Sequence, residues 1–157
     1  MALKIGNKAP AFSLQNQDGQ KAKLSDFAGS WLVLYFYPKD NTSGCTLEAV
    51  DFTSALASFK KLGATVVGVS PDSVKSHQNF CAKHKLGITL LSDPDHTALE
   101  KYGVWKEKSM YGKKYMGVER TTVLIDPESK VRAMWEKVKV NGHVDDVKAT
   151  LASLVKA

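Results

Sequence analysis

The chain is poor in cysteine: Cys45 and Cys81 are the two in 157 residues, too few for a disulfide framework in a domain of this size. They do not form a C-x-x-C pair, because three residues beyond Cys45 stands Glu48. Long apolar runs are also missing. The best, Trp31 to Tyr37, has seven residues, whereas a helix needs about 20 to cross a bilayer. The opening segment, MALKIGNKAPAFSL, lacks the apolar centre of a secretion signal. The expected location is therefore the cytoplasm, where cysteines stay reduced and a disulfide is more often transient and catalytic than structural. No repeat, low-complexity tract or linker divides the chain, so residues 1–157 read as one domain, long enough to bury a real core. The net charge is +6, but the lysines and arginines are interspersed with acids and form no long basic block. A soluble lysine-rich surface explains that charge better than nucleic-acid binding.

What is present has the pattern of an α/β protein. Ala11–Leu14 and Lys21–Leu24 flank the turn-rich Asn16-Gln17-Asp18-Gly19, a small N-terminal hairpin. Trp31–Tyr37 is a continuous aromatic and branched run, suited to a central strand covered on both faces. Phe52, Ala55, Leu56 and Phe59 recur at helical spacing and predict one helix from Ser43 to Leu62, stopped by Gly63. Ala64–Ser70 is a second buried strand. Pro71-Asp72-Ser73 opens a helix with Val74, His77, Phe80 and Cys81 on its inner side. Ile88–Leu91 is a short strand, and Asp93-Pro94-Asp95 opens a short helix ending at Lys101. Met110–Val118 reads as loop and edge strand. Thr121–Ile125 and Lys130–Trp135 bracket the turn Asp126-Pro127-Glu128-Ser129, and Val144, Val147, Leu151, Leu154 and Val155 line a last helix. This order implies a central mixed β-sheet with helices on both faces.

The informative stretch is "YPKDNTSGCT", Tyr37 to Thr46. It places Cys45 in the first turn of a helix that starts where a central strand ends. Ligand sites of open α/β sheets gather at the carboxyl ends of strands, and backbone N–H groups of a first helical turn lack intrahelical partners and favour an anion. A thiolate is such an anion. Pro38 ends the strand and shields the pocket from water; Thr42 or Ser43 caps the helix, and the Thr42 hydroxyl is a candidate substrate contact; Gly44 permits close approach to the backbone. The alternative is that Cys45 is a small buried hydrophobe. The polar loop on both sides favours a reactive role.

These residues resemble the active-site loop of peroxiredoxins, in particular the Q-type or bacterioferritin-comigratory-protein group. The family pattern Pro-x-x-x-Thr-x-x-Cys is matched by Pro38, Thr42 and Cys45, and the arginine that completes the family's site by Arg120 in "VERTTVLID". The resemblance extends from "GNKAPAFSL" through "LSDPDHTALEKYGVW" to "VKVNGHVDDV". It implies a thioredoxin-like fold with an N-terminal β-hairpin extension. It also implies a thiol peroxidase that needs no organic cofactor and no metal, because sulfur carries the electrons. Hydrogen peroxide or an organic hydroperoxide is the implied substrate, Cys45 the nucleophile, and Arg120, Thr42 and the Cys45 N–H the donors facing the departing oxygen. Two positions depart from the group: Ser43 stands where proline is frequent, and Val50 stands where many members carry a resolving cysteine. Other members place that cysteine on the next helix, where Cys81 lies. The resemblance thus implies an intramolecular Cys45–Cys81 disulfide, thioredoxin or glutaredoxin as reductant, and a monomer. Such a disulfide requires Cα atoms within about 7 Å and so predicts unwinding around both cysteines.

Other readings remain open. With Cys81 a core residue, the enzyme is a one-cysteine peroxidase served by an external thiol. A peroxide sensor that does not turn over uses the same two cysteines. The missing C-x-x-C argues against a thioredoxin-type dithiol oxidoreductase. His77, Cys81 and His84, at spacings of four and three, present a zinc-type trio on one helical face, although no further cysteine pair or carboxylate cluster completes it.

Overall fold

A computed structural model describes residues 3–156. A seven-stranded sheet runs through its centre. The strands are β1 (Ser13–Asn16), β2 (Lys21–Lys23), β3 (Trp31–Phe36), β4 (Ala64–Ser70), β5 (Thr89–Ser92), β8 (Thr121–Ile125) and β9 (Val131–Trp135), in spatial order β2-β1-β5-β4-β3-β8-β9. β3, β4 and β5 are mutually parallel, while β1 and β8 join them antiparallel, so the sheet is mixed. The parallel trio coincides with the near-continuous apolar runs of the sequence, as expected of strands covered on both faces. The N-terminal hairpin, β1 with β2, is attached through β5.

The two faces of β3 separate two cores. Leu32, Leu34 and Phe36 point to one, shared with Val67, Val69, Leu91, Val123 and the short helix α4 (Thr97–Lys101) through Ala98 and Leu99. Val33, Tyr35 and Tyr37 point to the other, built with α1 (Ser43–Ser54), α2 (Leu56–Lys61), α3 (Val74–His84) and α5 (His143–Lys156). Helices flank both faces as expected, but unequally, with four on the face that carries Cys45.

Three expectations need correction. The helix expected over residues 43–62 is two helices, broken at Ala55 (φ −94°, ψ 2°). The preceding Thr53-Ser54 is a weak helix-forming pair, and the Thr53 hydroxyl is occupied by the Gly87 N–H at 3.3 Å. Gly63 does stop the second helix, with φ 79°. The segment read as loop and edge strand is a two-stranded ribbon outside the main sheet, β6 (Trp105–Met110) paired antiparallel with β7 (Lys113–Val118). Its first strand, WKEKSM, has no apolar face to betray it. On α5, Val144, Val147 and Leu151 are buried, whereas Val155 faces solvent.

At the centre of the sheet Gly68 permits a close approach. A Cβ there would lie 2.7 Å from Tyr35 Cζ and 2.9 Å from Leu90 Cδ2, and Tyr35 is in turn stacked on Phe52 of α1 at 4.7 Å between ring centroids. Substituting Gly68→Ala is expected to destabilise the fold by about 1–3 kcal/mol through overpacking. Urea unfolding should show it as a lower midpoint at unchanged slope.

Candidate active site

The register of β3 with β8 sets the geometry. Phe36 pairs with Thr121, so Arg120, one residue earlier, lies beside the chain as it leaves β3. That chain passes Tyr37, half-buried Pro38 and buried Asp40. It then turns at Asn41 (φ 64°), a residue type that tolerates the left-handed region, and enters α1. The first helical bond runs from the Thr46 N–H to the Thr42 carbonyl, 2.8 Å. The N–H of Cys45 therefore belongs to the turn that has no intrahelical acceptor.

Cys45 is buried, 1% exposed. Arg120 Nη2 donates to its Sγ at 3.2 Å, and Nη1 donates to Glu48 Oε1 at 2.6 Å. One guanidinium thus serves two acceptors a helical turn apart. Burial works against its charge, but Glu48 and Cys45 outweigh this and hold Arg120 above its usual pKa, so it remains a cation. Gly44 eases the same contact, since a Cβ there would lie 3.3 Å from Arg120 Nη2 and the guanidinium would have to shift by a few tenths of an ångström. The neighbour found at Gly44 is the arginine, where a substrate was expected to approach the backbone.

Glu48 is a residue that sequence reasoning missed. Its side chain is fully buried, and Oε2 has no hydrogen-bond partner among the described residues, nor does the buried hydroxyl of Tyr35. Burial drives the Glu48 pKa up to about 7 against the opposing pull of Arg120. The signal was available: Glu48 shares the inner stripe of α1 with Cys45, Ala49 and Phe52, where a carboxylate needs a reason. Lys108 of β6 is a further omission. Burial first and Arg120 second lower its pKa, with Glu119 and Cys45 opposing.

Thr42 departs from its expected contacts. It is the residue before α1, but its hydroxyl donates to the Lys39 carbonyl at 2.8 Å and caps no helical N–H. The turn at Asn41 aims the side chain back along the loop. Ser43, the other expected cap, is the first helical residue and is exposed.

Cys81 is a free thiol, half-buried against the same core as Cys45. Burial pushes its pKa up to about 11, with Asp40 and Asp18 adding to the effect, so at rest it is a weak nucleophile. The zinc-type trio is not assembled. The His77 ring is bonded to Asp40 through Nδ1 at 2.7 Å and to the Leu91 carbonyl through Nε2 at 2.9 Å, and His84 packs edge-on against Phe80. Among the described residues, the group close enough to share an ion is Asp40, Asp72 and His77, and hydrogen bonds within the protein already occupy it.

Behind the site, His143 at the start of α5 accepts or donates through Nε2 at Thr122 Oγ1, 2.8 Å. It stands edge-on to Trp135 and to Phe52, 5.8 and 6.3 Å between centroids. Burial lowers its pKa to about 4, Asp146 opposing and Arg120 adding.

Comparison with known proteins gives a consistent result. The model of the AhpC/TSA family matches residues 5–134. Peroxiredoxin Bcp of Bacillus subtilis is 48% identical over 154 residues, covering 98% of both chains. Peroxiredoxin Bcp of Escherichia coli is 43% identical over 145 residues, covering 92% of this chain and 93% of that protein. A solved structure of the Xanthomonas campestris bacterioferritin comigratory protein, described in connection with its alkyl peroxide reduction activity, superposes with a TM-score of 0.90. It is 46% identical over 98% of each chain.

The perturbed pair Glu48 and His143 gives a pH signature. The folded state holds the Glu48 proton up to about pH 7, so the stability this provides is present below pH 4.5 and is lost as pH rises through 7. His143, lowered to about 4, acts oppositely: stability is present above pH 6.5 and is lost as pH falls towards 4. Glu48→Gln removes the first dependence. Relative to the parent, its unfolding free energy is expected to improve by about 3 kcal/mol on going from pH 4.5 to above 7, measured by urea titration across that range.

Proposed function

The chain belongs to the AhpC/TSA family and, within it, to the Q-type or bacterioferritin-comigratory peroxiredoxins, and from that membership we propose a two-cysteine catalytic cycle for this thiol peroxidase. The observation that carries the reading is the 3.2 Å contact from the half-buried Arg120 guanidinium to buried Cys45 Sγ at the head of α1. The substrates are hydrogen peroxide and organic hydroperoxides.

Cys45, as thiolate, attacks the near oxygen of ROOH. The S–O bond forms, the O–O bond breaks, and its electron pair goes to the far oxygen, which takes a proton and leaves as ROH. Negative charge grows on that oxygen, so donors fixed around it lower the barrier. Arg120 and the Cys45 N–H are supported by their geometry. The Thr42 hydroxyl joins them by turning from the Lys39 carbonyl, and Pro38 walls the pocket.

Cys81 resolves the sulfenic acid. Its sulfur bonds to Cys45 Sγ, the S–O bond breaks, and the hydroxyl leaves with the thiol proton as water. The burial that keeps Cys81 a thiol at rest fits a resolving residue that acts only after its helix has loosened. The disulfide is then reduced by thiol exchange, with two electrons from the dithiol of thioredoxin or of a glutaredoxin. No helix among the described residues is long and apolar enough to cross a membrane. The proposed setting is the cytoplasm, with the chain acting as a one-domain monomer.

Intact mass under non-reducing conditions, after one equivalent of hydrogen peroxide, tests the cycle. The expected product is a monomer lighter by two hydrogens with Cys45 joined to Cys81 in the peptide map, and Cys45→Ser abolishes it. A monomer heavier by one oxygen at Cys45 would remove Cys81 from the cycle and leave an external thiol to resolve. No change at either sulfur would overturn the proposal.

A further inference from the structure

Asp40 and His77 take no part in the chemistry above, yet their side chains meet at 2.7 Å with essentially no exposure to solvent. Asp40 lies in the loop from β3 to α1, and His77 in the second turn of α3. Asp40 Oδ1 accepts the Tyr37 hydroxyl at 2.6 Å, and Oδ2 accepts the Ser76 hydroxyl at 2.8 Å. The Asp40 N–H donates to Asp72 Oδ2 at 2.8 Å, and that oxygen also accepts the Ser70 hydroxyl at 2.7 Å. His77 Nε2 faces the Leu91 carbonyl of β5 at 2.9 Å. Both ring nitrogens are therefore engaged by the protein. Separating two such buried partners would leave an uncompensated polar group in the core, which is strongly unfavourable.

The chain on the far side of each partner is held much less. Beyond Asp40, residues Asn41, Thr42 and Ser43 are exposed and α1 starts without a side-chain cap. Beyond His77 and the buried Phe80, Cys81 is half-buried and Ala82, Lys83 and Lys85 are exposed. That end of α3 is closed by Lys85 in the left-handed region, with the N–H groups of Lys85 and Leu86 on the Cys81 carbonyl. Asp40 precedes Cys45 by five residues, and His77 precedes Cys81 by four.

We propose that the Asp40–His77 pair is the fixed point from which both cysteine-bearing turns unwind, a positioning pair for the disulfide step. The proposal rests on the reading of Cys81 as the resolving thiol. With the pair intact, the two cysteines are joined through nine residues of loosened chain; without it, the next links back are the Asp40 N–H to Asp72 and the Tyr37 N–H to the Val69 carbonyl, which leave fourteen and twenty residues. Loop closure falls with the three-halves power of length, so the pair accelerates disulfide formation by about two- to threefold. The reaction itself is unchanged: the S–S bond forms, the S–O bond breaks and water leaves.

The test is rapid mixing of reduced protein with hydrogen peroxide. Timed quenching and mass spectrometry then follow Cys45 sulfenic acid and the Cys45–Cys81 disulfide separately. His77→Phe is expected to form sulfenic acid at the parent rate but to close the disulfide about two to three times more slowly. Under excess peroxide it should accumulate more sulfinic acid. His77→Asn, whose amide can still donate to Asp40, is expected to restore closure to the parent rate. Ser76→Ala, which removes one bond to Asp40 and leaves the core alone, is expected to slow closure in the same direction and serves if His77→Phe does not fold. Closure as fast as the parent's, or faster, in His77→Phe or in Ser76→Ala would overturn the proposal, since a lock that must open gives that sign. A parent protein that forms no Cys45–Cys81 bond would instead overturn the reading of Cys81.

Discussion

One guanidinium held between two acceptors sets the design of this molecule. Arg120 must reach Cys45 and Glu48 together, and much of the surrounding structure follows from that requirement. The antiparallel register of β8 on β3 delivers the arginine to the carboxyl end of the central strand. Gly44 leaves room for the guanidinium. Glu48 shares its burial, so the arginine is anchored on one side by a carboxyl group and offers its other edge to sulfur. A surface arginine would be free to rotate and would be screened by water; here the low exposure keeps both edges directed. The cost is a carboxyl group whose ionisation is opposed by burial, with one oxygen unpartnered.

The same face of the sheet carries a second polar centre with a different character. Around Asp40 and His77 the donors and acceptors are matched, and the segments they join come from the β3–α1 loop, β4, α3 and β5. Around Cys45 and Glu48 they are not matched. A satisfied network resists motion, whereas an incompletely satisfied one can accept a new partner. The protein therefore places its matched polar cluster a few residues from each cysteine, with exposed chain just before Cys45 and just after Cys81. Opposed stability terms at Glu48 and His143 add a further balance, because across pH 4.5 to 6.5 one weakens as the other strengthens.

Much of this was legible in the residues. The continuous apolar runs of β3, β4 and β8 identify strands covered on both faces, and the loop from Tyr37 to Thr46 marks the site because a polar, turn-rich segment there interrupts otherwise buried chain. Arg120 was recognisable through its motif, although its partner Glu48 was passed over. An acidic residue on an apolar stripe was visible, but its counter-charge lies 72 residues away, a distance that local pattern does not bridge. The Asp40–His77 pair, 37 residues apart, was hidden for the same reason, and it removes His77 from the zinc-type trio that helical spacing suggested. Strand β6 escaped because a ribbon solvated on both sides needs no hydrophobic alternation. The break at Ala55 escaped because the apolar positions on either side keep helical spacing through it.

The arrangement of Trp135, His143 and Phe52 has a spectroscopic consequence. The indole of Trp135 stands edge-on to the His143 ring, which stands edge-on to Phe52 in the middle of α1, and the indole N–H is bonded to Asp146 of α5. A fluorophore is therefore connected through two ring contacts to the helix that begins at Cys45. Loosening of α1 shifts Phe52, changes the packing of the imidazole and alters the quenching of the indole. With Trp31 and Trp105 replaced by phenylalanine, the remaining indole becomes an intrinsic optical gauge of the active-site helix that needs no dye.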